Sequence, residues 1–262
     1  MKPAPTYELN PPKIAPSGRF DRRALASDMG EFLGRSARLE GLAGGIHVTD
    51  SVLGVPRVSS ITAASMIKKK SNGLKLSCSL RTSDRNAITL CQAAADAVMA
   101  GIDSLLVLLG DAPTDGRDSG LKPSAAVRML QELGFDKRIK LDLSFPARVP
   151  DKDSPAIRAK LEARPHAFVT QSISSLSDLG GIVDIARPYG IKVIACIMVP
   201  AVKNAKSAQM IGLDWSGYEK EPVDFVKQAG RIVGAGGGVL LTSPNSFQSG
   251  LELLQELSRC RR

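Results

Sequence analysis

The chain has 262 residues and a formal net charge of +9, with 35 lysines and arginines against 26 acids, and 43% of its residues are hydrophobic. That length suits one large α/β domain or two small ones, and no run approaches the roughly 18 apolar residues of a membrane span. Cys78, Cys91, Cys196 and Cys260 lack CxxC spacing and only His47 and His166 could join them, which does not suggest a zinc site.

Reduced thiols are therefore expected. The start, Met1-Lys2-Pro3-Ala4-Pro5, carries no apolar signal segment, so the cytoplasm is the expected compartment. The positive balance favours an anionic partner such as a dinucleotide, a polyglutamate tail or nucleic acid. The cations are dispersed, however. Lys68-Lys69-Lys70 and Arg261-Arg262 are the tightest runs, and neither interleaves aromatics, which argues against nucleic acid.

In chain order, residues 7–9 read as a brief strand ended by Asn10-Pro11-Pro12, which cannot continue a ladder. Ala24, Leu25, Met29, Phe32 and Leu33 recur at helical spacing within 21–39. A second strand covers 46–49 and a helix 59–70, its lysines in the last turn as the helix dipole prefers. A third strand spans 74–80, with Asp84 a plausible N-cap for a helix over 86–101.

The run 104–109 is almost wholly apolar, too short for a typical helix and bounded by Gly110 and Pro113. It reads as a strand buried on both faces, as in a parallel sheet. The alternation continues with strands over 139–144, 167–171, 191–197 and 239–242. Helices are expected over 123–133, 154–163, 175–187, near 205, and over 223–233 and 247–258. The Gly234 to Gly238 cluster precedes its strand and reads as a turn, not a dinucleotide fingerprint.

Eight strands alternating with helices fit a single (β/α)8 barrel over 1–262. An open doubly wound sheet gives the same alternation, and the strand count tips the choice to the barrel. On a barrel, chemistry is carried by polar residues at the C-terminal strand ends. These are Glu8, Thr49, Ser79 or Arg81, Asp111, Ser144, Gln171, the segment after Pro200, and Asn245. Two carboxylates at one mouth could have pKa values pushed apart, leaving one as a proton donor. The competing readings are an exposed terminal acid for Glu8, an ordinary Gly-Asp turn for Asp111, and a backbone-bound amide for Gln171. His47 and His166 read as structural, and Lys160 by default as solvated.

Several of these stretches carry a resemblance. Tyr7-Glu8-Leu9-Asn10-Pro11-Pro12 resembles the opening Phe-Glu-Phe-Phe-Pro-Pro motif of methylenetetrahydrofolate reductases, which are (β/α)8 flavoproteins. Val48-Thr49 is similar to the family's Val-Thr after strand two, and residues 101–113 to its Gly-Ile…Arg-Gly-Asp-x-Pro signature. Phe168-Val169-Thr170-Gln171 resembles its Ala-Ile-Thr-Gln, and Lys160 keeps the spacing of the flavin-phosphate lysine. Val199-Pro200 resembles the Leu-Pro after strand seven.

The resemblance implies roles. Glu8 would be the general acid at N10 of methylenetetrahydrofolate, and Asp111 would stabilise cationic folate and tune the flavin. Gln171 would bind the pterin edge. Thr49, Ser79, Gly110, Asp111 and Lys160 would contact FAD, and NADH or NADPH would supply the hydride that ends in methyltetrahydrofolate. One-carbon metabolism and methionine biosynthesis would be the setting, with a homo-oligomer or enzyme complex and no membrane.

Departures accompany the match. Leu109 replaces the Arg before Gly-Asp, Ser79 a His, Phe145 a Tyr, Val149 a His and Asn204 a Phe, and the loop 50–56 is unlike the family's. They predict weak flavin binding. Two alternatives stay open: a folate reductase that is flavin-free or takes flavin within a complex, and a non-catalytic barrel subunit.

Overall fold

In the computed structural model, residues 4–71, 73–111 and 118–260 are described; Met1, Pro113 of the Gly-Asp-x-Pro match and Arg261-Arg262 lie outside them. Eight parallel strands close into a barrel in sequence order. They are β1 (Thr6–Leu9), β2 (Gly45–Val48), β3 (Lys75–Arg81), β4 (Ser104–Leu108), β5 (Lys140–Phe145), β6 (Ala167–Thr170), β7 (Lys192–Met198) and β8 (Gly238–Thr242). Between and after them run α1 (Arg22–Leu39), α2 (Ser60–Lys70), α3 (Ala87–Met99), α4 (Pro123–Glu132), α5 (Pro155–Glu162), α6 (Leu176–Ala186), α7 (Ala205–Met210), α8 (Pro222–Val233) and α9 (Phe247–Arg259). The fold is a (β/α)8 barrel. Among the described residues no helix is long and apolar enough to cross a membrane.

Chain contacts group into two compact units. One comprises the chain up to Glu8, Gly41–Gly45 and everything from Ser144 onward; the other comprises Leu9–Glu40 and Ile46–Leu143.

In the first unit, β1 pairs with β8, β8 with β7, and β7 with β6. The Tyr7 ring meets Phe247 of α9 edge-on, with centroids 5.8 Å apart. Gly250 lets that helix come so close, since a Cβ there would run into the Tyr7 hydroxyl. Tyr7 thus faces the helical layer. Because side chains alternate along a strand, Glu8 faces the barrel interior. Residues 234–237 form the turn between α8 and β8.

In the second unit, β3 pairs with β4 and β4 with β5. Cys78 turns outward, its thiol on the Ser60 carbonyl of α2, which sends Ser77, Ser79 and Arg81 inward. Asn86 caps α3 by accepting from the Thr89 amide at 3.0 Å. Asp84 was the expected cap; it is instead drawn to two arginines, where its charge finds stronger partners.

Candidate functional site

At the end of β1, the half-buried Glu8 accepts a 2.6 Å hydrogen bond from the Thr242 hydroxyl of β8. The strand register makes this pairing inevitable: Thr6 and Tyr7 lie beside Leu240 and Leu241, so the next pair is Glu8 and Thr242. Burial raises the Glu8 pKa and the Thr242 bond only partly offsets it. Desolvation penalises the anion, so this carboxyl holds its proton longer than a surface glutamate would.

Nearby on β7, the buried Cys196 thiol is pushed up to about 12, chiefly by burial and further by the Glu8 charge. At neutral pH it is a thiol. Its Sγ lies 3.7 Å from the Ser172 hydroxyl.

Gln171 follows β6. Its amide N–H donates to the Phe145 carbonyl at 2.8 Å, and its side chain is exposed. Lys160, on α5, reaches back to the end of β5, where Nζ donates to the Ser144 carbonyl at 2.5 Å. Burial lowers its pKa, so it is neither the freely solvated lysine expected by default nor one with its amine uncommitted.

Thr49 is buried just beyond β2, donating to Asn10 Oδ1 at 2.7 Å. Ser79 bonds His47 Nε2 at 2.9 Å, and Ser77 bonds Nδ1 at 2.8 Å. Burial takes the imidazole pKa down to about 4, so His47 is neutral at pH 7 and fills the interior as a doubly hydrogen-bonded ring.

Arg81 organises the loops of this unit. It is 2% exposed. Nη1 donates to the Ser51 carbonyl beyond β2 at 2.6 Å, and Nη2 to the Asp111 carbonyl beyond β4 at 2.8 Å. Nε faces Asp84 at 3.0 Å as a charge contact without hydrogen-bond alignment. Gly110 packs against the guanidinium. With φ +87 and Arg81 atoms only 2.8–3.0 Å from where a Cβ would sit, that position admits only glycine. Arg85 adds a 2.8 Å ion pair to Asp50.

Asp111 itself is exposed. Its Oδ2 accepts from the Leu53 amide at 2.6 Å. Leu53 has φ 59 and ψ 29, left-handed backbone that costs a leucine about 1–2 kcal/mol. The Asp111 bond helps hold the strained turn.

No protein-family model matches the chain, and no curated protein matches it either. Solved structures do match along its whole length. A riboflavin lyase crystallised with modified FMN and riboflavin aligns with a TM-score of 0.64 at 10% identity, covering 99% of this chain and 92% of the other. A long-chain alkane monooxygenase gives 0.62 at 10% identity, covering 100% and 92%. Orotidine 5'-monophosphate decarboxylase from Methanocaldococcus jannaschii, complexed with an inhibitor, gives 0.57 at 12% identity, covering 98% and 99%. Identities this low establish the shared fold.

The expected residues therefore do stand at strand ends: Glu8 on β1, and Thr49, Gly110, Asp111 and Gln171 just beyond β2, β4 and β6. Four positions carried over for FAD, however, are taken up by the protein's own contacts. Thr49 is on Asn10, Ser79 on His47, Gly110 under Arg81 and Lys160 on Ser144. As they stand they do not offer a ready cradle for FAD. Phe145 is stacked on Phe168 at 4.2 Å in the core. Asn204, fully buried, donates to the Val199 carbonyl and the Ser243 hydroxyl, both at 2.9 Å, so no ring stacks from that position.

Sequence reasoning placed Arg81 among the candidates but missed its grip on three loops. Its targets are mostly backbone carbonyls, which leave no trace in residue type. The Arg81, Asp84, Arg85 spacing beyond a strand was the available signal. Among the described residues, no group of three or more His, Cys, Asp or Glu is arranged to hold a metal.

Proposed function

We propose that this barrel is an enzyme of the methylenetetrahydrofolate reductase type, reducing 5,10-methylenetetrahydrofolate to 5-methyltetrahydrofolate with hydride from NADH or NADPH. The observation that carries the reading is Glu8: an inward-facing carboxyl at the end of β1, hydrogen-bonded by Thr242 and with its pKa raised by burial. An acid whose pKa is raised in that position suits the opening of the imidazolidine ring, where N10 takes the proton as its bond to the methylene carbon breaks. The iminium so formed accepts hydride at that carbon. Asp111, with one carboxylate oxygen on the Leu53 amide, supplies negative charge that favours a cationic folate. Gln171 offers an exposed amide, able to donate and accept, to a heterocycle edge.

A flavin would supply the hydride relay in such a reductase. Thr49, Ser79, Gly110 and Lys160 are already engaged by the protein's own groups. The Lys160 bond to Ser144 favours a second reading, a folate reductase that is flavin-free or receives flavin within a complex.

Glu8→Gln tests the reading. Folate reduction should fall by about 10²- to 10⁴-fold, as for loss of a general acid. Oxidation of NAD(P)H with an artificial acceptor should persist. Equal loss of both would make Glu8 structural, and unchanged folate turnover would remove it from the mechanism. The colour of the purified protein separates the two readings: a flavin spectrum supports the first, a colourless preparation the second.

A further inference from the structure

The turn after β2 and the end of β4 each display a large apolar side chain at the same acid. Leu53 is 58% exposed and Leu109 46% exposed. They flank Asp111 differently: Leu53 through its amide bond to Oδ2 at 2.6 Å, Leu109 as the residue two before it in the chain. Neither exposure follows from folding needs. Leu53 occupies left-handed backbone, where glycine would be unstrained, and the next residue, Gly54, shows that the turn already uses glycine. Leu109 precedes Gly110, whose position is fixed by the Arg81 guanidinium. Strain and apolar exposure retained together at a strand end point to function. Between them, Asp111 is exposed, and its Oδ1 takes no hydrogen bond from any described residue.

We propose that Leu53 and Leu109 are specificity-determining residues, forming an apolar shelf beside Asp111 for an N-heterocycle whose N–H edge meets the free carboxylate oxygen. Arg81 is the positioning residue: it holds Ser51 and Asp111 by their carbonyls, and so the two ends from which the leucines project. Such a ring could be the reduced pterin of a folate or the ring of a flavin. The inference uses the reading above only to choose these probes.

Leu53→Gly isolates the side chain, because glycine keeps the left-handed turn and the amide bond to Asp111. Leu109→Ala is its companion. Tetrahydrofolate and riboflavin are titrated separately by calorimetry, with inorganic pyrophosphate as a ring-free control. Each substitution should weaken binding of at least one ring probe about 10-fold or more, the equivalent of uncovering one leucine, while pyrophosphate binding is unchanged and the Tm of Leu53→Gly does not fall. The probe that responds identifies which ring is bound. Ring binding that ignores both substitutions overturns the proposal, as does a wild-type chain that binds neither ring. If the substitutions instead change the sedimentation of the ligand-free protein, the shelf is a contact between copies and the proposal fails. Leucine-dependent ring binding without folate turnover would leave it standing while removing the reductase reading.

Discussion

The two units solve the problem of a polar barrel interior in opposite ways. In the unit containing β3 and β4, the central polar side chains each have several partners, although Asp50 Oδ2, Arg57 Nε, Arg81 Nε and Thr82 Oγ1 are buried without an aligned hydrogen bond. His47 has a serine on each ring nitrogen, and Arg81 is spread over two carbonyls and an acid. In the unit containing β1 and β8, Glu8 has one hydroxyl against a large burial penalty, and Cys196 is a high-pKa thiol beside it. The first arrangement builds a rigid frame for loops. The second leaves a carboxyl with a single partner against the cost of burial, and the difference separates where stability is concentrated from where reactivity is.

The largest effect expected from breaking the frame is at Arg81. Arg81→Met keeps the stem but abandons the Ser51 and Asp111 carbonyls and leaves Asp84 with Arg85 alone. Removing one side of a buried charged network costs about 3–5 kcal/mol, here toward the lower end because Asp84 is partly exposed. Chemical denaturation should show it, and Arg81→Lys should recover little, since a single ammonium cannot span both carbonyls. A loss below about 1 kcal/mol would mean the loops hold without the guanidinium.

His47 gives the next effect, read through pH. Its folded pKa, near 4, lies below the ordinary 6.5. The unfolded chain therefore binds the extra proton first, and stability falls as pH drops from about 6.5 toward 4. The full loss is about 3 kcal/mol, levelling off below pH 4 as far as this group is concerned. His47→Gln should flatten that part of the urea-midpoint profile. An unchanged slope would assign the acid sensitivity to other groups.

How much of this was legible in the sequence follows from the same contrast. The strands announced themselves because a two-sided buried strand must be short and apolar, as 104–108 is. The strand-end residues followed from counting, and Glu8 and Asp111 were among them. Capping was misjudged at Asp84 because arginine partners three residues before it and one after outcompeted the α3 amides. The clamp by Arg81 was hidden because backbone carbonyls look alike in every sequence. The Glu8 pKa was expected to rise from desolvation and from the like charge of Asp111 together; burial raises it, and no carboxylate is among the causes.

The smallest effect sharpens the comparison most. Glu8 has a folded pKa raised above its usual 4.5. A raised acid favours the folded state fully below its unfolded pKa and loses that contribution as pH rises toward the folded value. At neutral pH and above, then, ionising Glu8 works against the fold. Glu8→Gln keeps the oxygen that accepts from Thr242 and cannot ionise. It should raise Tm at pH 8 by about 2–4 °C, the equivalent of about 1 kcal/mol in a chain of this size, and the gain should shrink toward pH 4, where the native acid is already neutral. Thermal scans of both proteins across that range would show the convergence. A substitution that stabilises the barrel while removing folate turnover would mark Glu8 as a group retained at a cost to stability. If the glutamine protein is less stable at every pH, Glu8 is a structural partner of Thr242, and the contrast between the two units disappears.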